Sequence, residues 1–271
     1  MDDNILPDIA AQSASDLVSL FARHGIKSDH PIDAFVTETQ SLLELKSVVR
    51  TLSAPVWREQ IVLIHGPSGS GKELIARGLH GTPPVTSQFI AVNLAALPDT
   101  LASSILQGHK AGAFTGAAAD KEGVFEAAST LDADKKSGRT TGTVFLDEIG
   151  DMPAGQQALL LRILEQREVM PIGGTRAAKI NCRIIAATNK DLDAEVLKGN
   201  FRDDLYARLA EITLTIPPWS ERPADIAALC AHYNLPPEAA DFITQHPLLA
   251  RHGVRFIRAV AARHRLTGKL S

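Results

Sequence analysis

The stretch Gly66-Pro67-Ser68-Gly69-Ser70-Gly71-Lys72 decides the fold class of this chain. It follows a short apolar run at 61–65 and precedes a segment, 73–79, whose apolar residues have helical spacing. A glycine-rich turn between a strand and a helix can offer backbone N–H groups to phosphate oxygens, and the helix adds the positive end of its dipole. Lys72 would add a point charge toward the β- and γ-phosphates of a nucleotide. The alternative is a glycine-rich turn without a ligand.

The residue after the lysine departs from the general phosphate-loop pattern. Glu73 stands where that pattern has Ser or Thr, whose hydroxyl usually ligates Mg²⁺. A metal ion would therefore depend on other groups.

Those groups follow at 143–148, an apolar run that ends in two carboxylates, Asp147 and Glu148. We expect Asp147 to hold Mg²⁺ through its water shell and Glu148 to orient and polarise an attacking water. The alternative is a strand that ends in solvent-exposed acids, which the upstream phosphate loop disfavours.

Five short apolar runs alternate with helical or loop segments, at 61–65, 89–92, 143–147, 183–188 and 212–216. This alternation predicts an α/β fold with a mostly parallel five-stranded sheet covered by helices on both faces. An amphipathic helix is expected at 38–52. After Pro217-Pro218, three more helices are expected at 224–232, 236–246 and 254–265 as a small all-helical domain.

Composition excludes several classes of protein. Hydrophobic residues make up 45% of the chain and charged residues 22%, which is an ordinary globular balance. No apolar run reaches the ~18 residues of a membrane span, and the acidic N-terminus is not that of a signal peptide. The net charge of −3 argues against DNA recognition as the main activity. We expect a cytoplasmic protein without membrane contact, in which Cys182 and Cys230 are buried thiols.

The most specific element is the hexapeptide Gly112-Ala113-Phe114-Thr115-Gly116-Ala117. With it, the order of motifs resembles the AAA+ domain of sigma-54-dependent transcription activators, or bacterial enhancer-binding proteins. The resemblance runs from about residue 35 to 222 and weakens after that. It implies an AAA+ phosphate-loop fold with a helical lid, ATP and Mg²⁺ as ligands, and a hexapeptide loop that contacts sigma-54.

The residues around the hexapeptide fit such a loop. Leu101 and Leu106 begin a helix that Gly108 and Gly112 interrupt. An exposed Phe114 at a mobile tip would be a plausible contact anchor. The alternative is a tight turn with a buried phenylalanine.

The resemblance assigns roles to further polar residues. It implies that Asn93 hydrogen-bonds Glu148 and holds it away from the water until the loops engage. It makes Thr188 and Asn189 a first sensor of the γ-phosphate, with a plain strand-end turn as the alternative. It makes the stretch 173–176 a second inserted loop.

The resemblance also implies two arginine fingers, Arg202 and Arg208, that reach the γ-phosphate bound by a neighbouring subunit of a ring, expected to be a hexamer. Such fingers can be worth ~10³–10⁵ in rate in other phosphoryl-transfer systems. On residues alone, ion pairs with Asp203 and Asp204 on a helix surface are the simpler alternative.

The sequence departs from the family in several places. The polar stretch 129–142 contains an insertion of about eleven residues, for which we have no functional account. Residues 107–111 read Gln-Gly-His-Lys-Ala where the family has Phe-Gly-His-Glu-Lys, and Pro171 replaces an arginine that contacts a neighbouring subunit. In the shortened lid, Arg255 is the candidate second sensor, and a solvated arginine is an equal alternative.

These observations predict a weakly ordered lead-in at 1–34, an AAA+ core at 35–218 and a helical lid at 219–271, with no receiver domain and no helix-turn-helix. The expected function is an ATPase, active as an oligomer, that remodels sigma-54 RNA polymerase at promoters and meets DNA only indirectly or through another protein. Two alternatives remain, namely an AAA+ ATPase that remodels a different partner and a degenerate nucleotide-binding regulatory subunit.

Overall fold

A computed structural model describes residues 30–81, 88–129 and 142–270. Most of the predicted lead-in, 1–34, and most of the polar stretch 129–142 lie outside the described residues. Contacts divide the chain into two compact units. The sheet unit comprises 55–66 and 82–215, and the helical unit comprises the residues up to 54, 67–81 and 216–271.

The strands are, in chain order, β1 Val62–His65, β2 Phe89–Asn93, β3 Gly108–His109, β4 Lys121–Glu122, β5 Thr143–Asp147, β6 Glu168–Val169, β7 Ala178–Lys179, β8 Arg183–Thr188 and β9 Ile212–Thr215. The helices of the sheet unit are α3 Asp99–Gln107, α4 Val124–Ser129, α5 Ala154–Gln166, α6 Leu192–Leu197 and α7 Asp203–Leu209. Those of the helical unit are α1 Gln40–Leu52, α2 Lys72–His80, α8 Pro223–His232, α9 Ala239–Gln245, α10 Leu248–His252 and α11 Val254–Thr267.

The sheet unit is built on a five-stranded sheet with the order β2-β5-β8-β1-β9, in which every pair is parallel. All six residues of β8 are buried, as expected for a strand covered on both faces. Parallel strands end at the same edge, so β5 brings Asp147 and β8 brings Thr188 to the carboxyl edge of the sheet. The predicted α/β fold class and its five strands are confirmed.

The helical unit has its own apolar core, formed by Trp219, Ile226, Leu229, Cys230, Leu235, Ala239, Ile243, Leu249, Ile257, Val260 and Ala261. Downstream of residue 222 the structure has four helices where the sequence predicted three. His246 is extended and Pro247 begins a new turn, so α10 separates from α9. Gly253 has φ +52°, which ends α10 and starts α11 in a new direction.

Both cysteines are free and buried, as predicted. Burial raises the pKa of both thiols, Cys182 and Cys230. Across the described ranges, no helix combines the length and apolar character that a membrane span requires.

Candidate functional site

The glycine-rich turn before α2 has the backbone of a phosphate loop. Gly69 and Gly71 adopt φ +68° and +104°, a region that side-chain-bearing residues rarely occupy. Gly71 caps α2, which begins at Lys72. The predicted turn between strand and helix is therefore present at 66–72.

The amides of this loop fit an anion. In the part of the chain that the structure describes, no group accepts a hydrogen bond from the N–H of Ser68, Gly69, Gly71 or Glu73. The Lys72 side chain is buried and its ammonium donates to the carbonyl of Pro67 at 3.3 Å, so its charge is held against the loop. Open amides, a helix N-terminus and a fixed cation are the groups that bind phosphate.

Glu73 has a different partner. Its carboxylate accepts from Arg77 on the next turn of α2 at 2.7 Å, and both side chains are half-exposed. Arg77 thereby balances the negative charge of Glu73, the residue that stands in place of the usual Ser or Thr.

The turn between α10 and α11 contacts the phosphate loop within the helical unit. The N–H of Val254 donates to the carbonyl of Gly69 at 3.0 Å. A Cβ at Gly69 would lie 2.1 Å from the carbonyl oxygen of His252, and a Cβ at Gly253 would lie 2.5 Å from that of Gly69. Only glycines allow this approach, which places Arg255 one residue beyond the contact. Arg255 is exposed, and none of the described carboxylates pairs with it.

A buried ion pair stands beside the same loop. The Arg222 Nε donates to an Asp225 oxygen at 2.9 Å, and the two side chains are 1% and 0% exposed. The other Asp225 oxygen accepts from the hydroxyls of Thr37 and Thr39 and from the N–H groups of Glu38 and Thr39, at 2.7–3.0 Å. Burial alone would raise the pKa of Asp225, but these donors together with Arg222 hold it below its usual value.

The Arg222 guanidinium lies 3.9 Å from the Trp219 ring centroid and 5.9 Å from that of Phe35, and it donates to the carbonyl of Ser70 at 3.5 Å. Burial lowers the pKa of Arg222, and Asp225 opposes that shift. The Arg222 side chain thereby joins the segment 35–39, the start of the lid and the phosphate loop.

A small cavity of about 50 Å³ opens beside this side chain, lined by Phe35, Gly71, Leu74, Arg222, Tyr233 and Val254 among others. Its lining is aromatic and aliphatic next to the phosphate loop. A group larger than one or two waters would require the lining to move apart.

The sheet unit presents the acidic strand end. An Asp147 oxygen accepts from the N–H of Glu148 at 3.0 Å. Glu148 has φ +55°, a conformation that a non-glycine residue adopts at a cost and that is frequent at functional sites. Throughout the described residues, no cluster of three or more His, Cys, Asp or Glu could hold a metal ion. One or two carboxylates fit Mg²⁺ that arrives with nucleotide phosphates.

Asn93 makes a different contact from the one that the family resemblance implies. Its backbone pairs with Asp147 in the sheet, but its side-chain oxygen accepts from the N–H of Ala96 at 3.2 Å and caps a short 3₁₀ turn. Within the described residues it forms no hydrogen bond with Glu148. The side-chain oxygen of Asn93 is therefore occupied by the local cap, and the Asn93–Glu148 contact stays a prediction.

The first-sensor residues lie at the end of β8. The buried Thr188 accepts at its hydroxyl from the N–H of Lys190 at 3.0 Å, and its carbonyl accepts from the N–H of Gly66 at 3.1 Å. Asn189 is exposed. This arrangement fits both the sensor and the strand-end turn that the sequence left open.

The hexapeptide tips a short two-stranded stem. Gly108 pairs with Glu122 and His109 with Lys121, and the N–H of Gly112 donates to the carbonyl of Ala117 at 2.8 Å. The Phe114 side chain is 40% exposed and packs edge-on against His109, with ring centroids 5.0 Å apart. Thr115 is exposed. The tight turn is real, but its phenylalanine is not buried.

The predicted second loop packs on this stem. The N–H of Lys110 donates to the carbonyl of Ile172 at 2.9 Å, and the N–H of Ile172 donates to that of Gly108 at 3.0 Å. Gly173 has φ +75°, and a Cβ there would lie 2.9 Å from the Cβ of Ala113. The second loop therefore fixes the base of the hexapeptide loop through main-chain contacts.

Both predicted arginine fingers pair with acids of their own chain. Arg202 donates through two nitrogens to Asp204, at 2.9 and 2.7 Å. Arg208 forms an ion pair with Glu211. The local ion pair that the sequence left open is present for Arg202, with Asp204. The acid that pairs with Arg208, Glu211, was not part of that alternative. The role of the two arginines toward a neighbouring subunit stays a prediction.

Comparison with known proteins decides the family. The family model described as the sigma-54 interaction domain matches residues 37–215. This span includes both sensor residues, the hexapeptide, both arginines and the acidic strand end. The chain belongs to the sigma-54 interaction domain family.

Curated relatives carry this domain as part of longer chains. The transcriptional regulatory protein GlrR of Escherichia coli K12 is 45% identical over 201 residues, which cover 74% of this chain and 42% of that protein. The regulatory protein AtoC of the same organism is 50% identical over 173 residues, which cover 64% and 35%. The response regulator FleR of Pseudomonas aeruginosa is 39% identical over 250 residues, which cover 85% and 49%. The chain thus spans less than half of each relative.

Solved structures show the same fold. The crystal structure of NtrX from Brucella abortus in complex with ATP superposes with a TM-score of 0.71 at 25% identity, covering 85% of this chain and 52% of that one. The sigma-54 interaction domain match stops at residue 215, so Arg255 and the helices α8 to α11 lie beyond it.

Three residues of this region were not identified from the sequence. Arg222 and Asp225 are a charged pair at the start of an otherwise apolar helix, a pattern that signals a buried ion pair. Phe35 contacts the loop glycine Gly71, where a Cβ would lie 2.6 Å from its ring, and no local sequence pattern indicates that contact.

Proposed function

We propose that this chain is an ATP-hydrolysing activator that remodels sigma-54 RNA polymerase at promoters so that the open complex can form. The observation that carries the proposal is the half-exposed Phe114 beside the exposed Thr115, at the tip of a stem in a member of the sigma-54 interaction domain family. The phosphate loop of the same chain supplies the means to use ATP.

Each functional residue has a proposed role in nucleotide chemistry. The amides of the loop Gly66–Gly71 and the charge of Lys72 would hold the phosphates, and the cavity lined by Phe35 and Tyr233 would widen to take the base. Asp147 would hold Mg²⁺ through water, and the ion when bound would neutralise charge on the phosphate oxygens. Glu148 would orient the attacking water and accept its proton. Thr188 and Asn189 would report on the γ-phosphate, and Arg255 would contact the nucleotide from the lid.

The proposal includes a ring of subunits, expected to be a hexamer. Arg202 and Arg208 would leave Asp204 and Glu211 and contact the phosphates bound by the next subunit. The Arg202–Asp204 pair is at the surface, where such pairs contribute about 1 kcal/mol or less. The Arg208–Glu211 pair is partly buried, and it is also bound to the main chain through the Leu164 carbonyl and the Ile61 N–H, so its exchange costs more. Hydrolysis would be coupled to the loop tip through Glu148 and Asn93.

The test is capture of sigma-54. The protein is mixed with ADP and a metal-fluoride phosphate mimic, and then with purified sigma-54, and the mixture is separated by size exclusion. We expect a complex of higher mass that is absent with Thr115→Ala, a change at the loop tip that leaves the phosphate loop intact.

ATPase activity is measured on the same samples. Turnover without capture would retain the ATPase and reject sigma-54 as its substrate. Background turnover at every protein concentration would instead support the alternative of a regulatory, nucleotide-binding subunit.

A further inference from the structure

The C-terminal part of the helical unit differs in charge from the rest of the protein. Residues 242–271 contain six Arg and Lys and no Asp or Glu. Because the whole chain has a net charge of −3, the remainder carries −9. A basic region on an otherwise acidic protein indicates a local site for a polyanion.

Four of these cations have no partner in the described structure. They are Arg258, Arg263 and Arg265 on α11 and Lys269 just after it. All four side chains are exposed, and no carboxylate among the described residues lies within ion-pair distance of them. Arg258 and Arg265 are seven residues apart, which places them on one face of α11 about 10 Å apart along its axis. Arg255 is left out of this group because its proposed role is at the nucleotide.

The apolar side of the same helix is already occupied. Ile257, Val260 and Ala261 are at most 5% exposed and belong to the core of the helical unit. A basic amphipathic helix that binds a membrane surface needs its apolar face free. The composition of α11 therefore does not indicate a lipid surface.

An aromatic groove adjoins Arg263, which lies about 140° around α11 from Arg258. It has a volume of about 440 Å³ and is lined by Phe242, His246, Leu248, Phe256, Arg263 and Leu270, among others. The His246 ring lies 5.6 Å from that of Phe242 and 4.6 Å from that of Phe256, by centroids. These rings are half-buried, so part of each remains accessible.

From this juxtaposition we infer that the helical unit binds single-stranded nucleic acid. Bases enter the groove against Phe242 and Phe256, next to phosphates on Arg263. The strand continues across the exposed side of α11, where further phosphates contact Arg258, Arg265 and Lys269. Stacking platforms next to cations are the chemistry of sequence-tolerant single-strand binding. A duplex would use the arginines but would keep its bases out of the groove. The inference does not rest on the proposed remodelling of sigma-54.

The experiment uses the whole chain and fluorescence anisotropy. The probes are a labelled 20-mer of thymidylate and a labelled 20-base-pair duplex, each titrated at several salt concentrations. The variant Arg258→Gln/Arg263→Gln/Arg265→Gln removes three charges from α11. The matched control Arg162→Gln/Lys179→Gln/Lys198→Gln removes three exposed charges from the sheet unit.

We expect saturable binding of the single strand that is tighter than binding of the duplex. The α11 variant should lose about tenfold or more in affinity, and its salt dependence should flatten by a slope of about two, since each single-strand phosphate contact contributes about 0.7. Phe242→Ala should weaken the single-strand complex and leave the duplex unchanged. The control variant should bind like the parent protein, and thermal melting and ATPase turnover verify that each variant is folded.

Three results would overturn the inference. One is absence of saturable single-strand binding by the folded parent protein. Another is equal loss of affinity in the α11 variant and its control, which would mean that only total charge matters. The third is displacement of the oligonucleotide by polyglutamate as effectively as by unlabelled thymidylate, which would identify the surface as one for acidic proteins.

Discussion

Arg222 shows how a single buried side chain can organise the region around the phosphate loop. Its guanidinium is stacked on Trp219 and paired with Asp225, whose carboxylate also accepts from Thr37, Glu38 and Thr39. A buried charge is tolerated only while its partner and its hydrogen bonds are complete. The two residues should therefore be considered together, since neither is stable in this environment alone.

Removal of the carboxylate charge should destabilise the helical unit. We expect Asp225→Asn to lower the free energy of unfolding by about 3 kcal/mol, because Arg222 would stay buried without a counter-charge. Urea denaturation measures the change. Asp241→Asn, an exposed aspartate in the same unit, should stay within about 0.5 kcal/mol of the parent protein. Equal stability of the two variants would mean that the pair contributes nothing.

The same pair predicts a pH dependence. The pKa of Asp225 in the folded protein lies below the usual value of 3.8 for an aspartate, so the stabilisation from its charge is fully present above that value and is lost as pH falls through the folded-state pKa. The stability difference between the parent protein and Asp225→Asn should therefore be constant from pH 7 to about pH 5 and shrink in stronger acid. A difference that stayed unchanged at the acid end would contradict the assigned role.

Lys72 and Glu148 should separate binding from hydrolysis. Lys72→Ala removes the cation at the phosphate loop, so binding of a fluorescent ATP analogue should be lost. Glu148→Gln keeps the loop intact and removes only the base, so binding should persist while turnover falls by roughly 10²–10⁴. Loss of binding in both variants would mean that Glu148 is needed for folding or for the metal.

At the scale of elements, the hexapeptide loop and the second loop are connected through their main chains. Lys110, Ile172 and Gly108 share two backbone hydrogen bonds, and Gly173 approaches Ala113 more closely than a side chain would allow. A movement of either loop must therefore move the other or break these bonds. The base of the hexapeptide loop is the point at which such coupling can be tested.

A methyl group at Gly173 should disturb this contact specifically. Gly173→Ala places a Cβ 2.9 Å from that of Ala113, so the hexapeptide stem must shift. We expect sigma-54 capture to fall at least about fivefold with ATPase turnover retained. Gly199→Ala is a matched control, because Gly199 has nearly the same φ, +74°, with nothing within 4 Å of the added atom. Equal capture by both variants would remove the second loop from the coupling.

The elements were predicted better than their contacts. The runs at 143–147 and 183–188 were correct to the residue, because apolar strands covered on both faces have a clear signal. The lid was predicted less well, since a break at His246-Pro247 is a local choice within an apolar region. The Phe35–Gly71 contact and the Gly69–Gly253 contact depend on tertiary packing, which no periodicity encodes. The Asn93 cap is a local contact, which the family resemblance did not imply.

At the scale of the whole molecule, we propose that ATP hydrolysis requires a neighbouring subunit. Arg202 and Arg208 pair with acids of their own chain, and in a ring the next subunit's phosphates would replace those acids. Turnover per molecule should therefore rise with protein concentration until the ring is complete. Turnover that is high and independent of concentration would mean that each chain completes its own site.

Mixing two inactive variants gives a sharper test. Arg208→Ala should lower turnover by about 10³ because the neighbour's phosphates lose a cation, and Glu148→Gln should be inactive because it lacks the base. In an equal random mixture, about a quarter of the head-to-tail interfaces join an intact Glu148 to an intact Arg208. The mixture should recover measurable ATPase activity that neither variant has alone. No recovery, with rings present by light scattering, would place Arg208 outside the neighbour's site.

The stack of Trp219 under the Arg222 guanidinium also gives the protein an optical reporter. The chain has only two tryptophans, and the other, Trp57, belongs to the sheet unit. A Trp57→Phe variant would leave one indole, 4% exposed and packed against the cation that donates to the phosphate loop. Emission from that indole would follow the lid during a single turnover, without any attached dye.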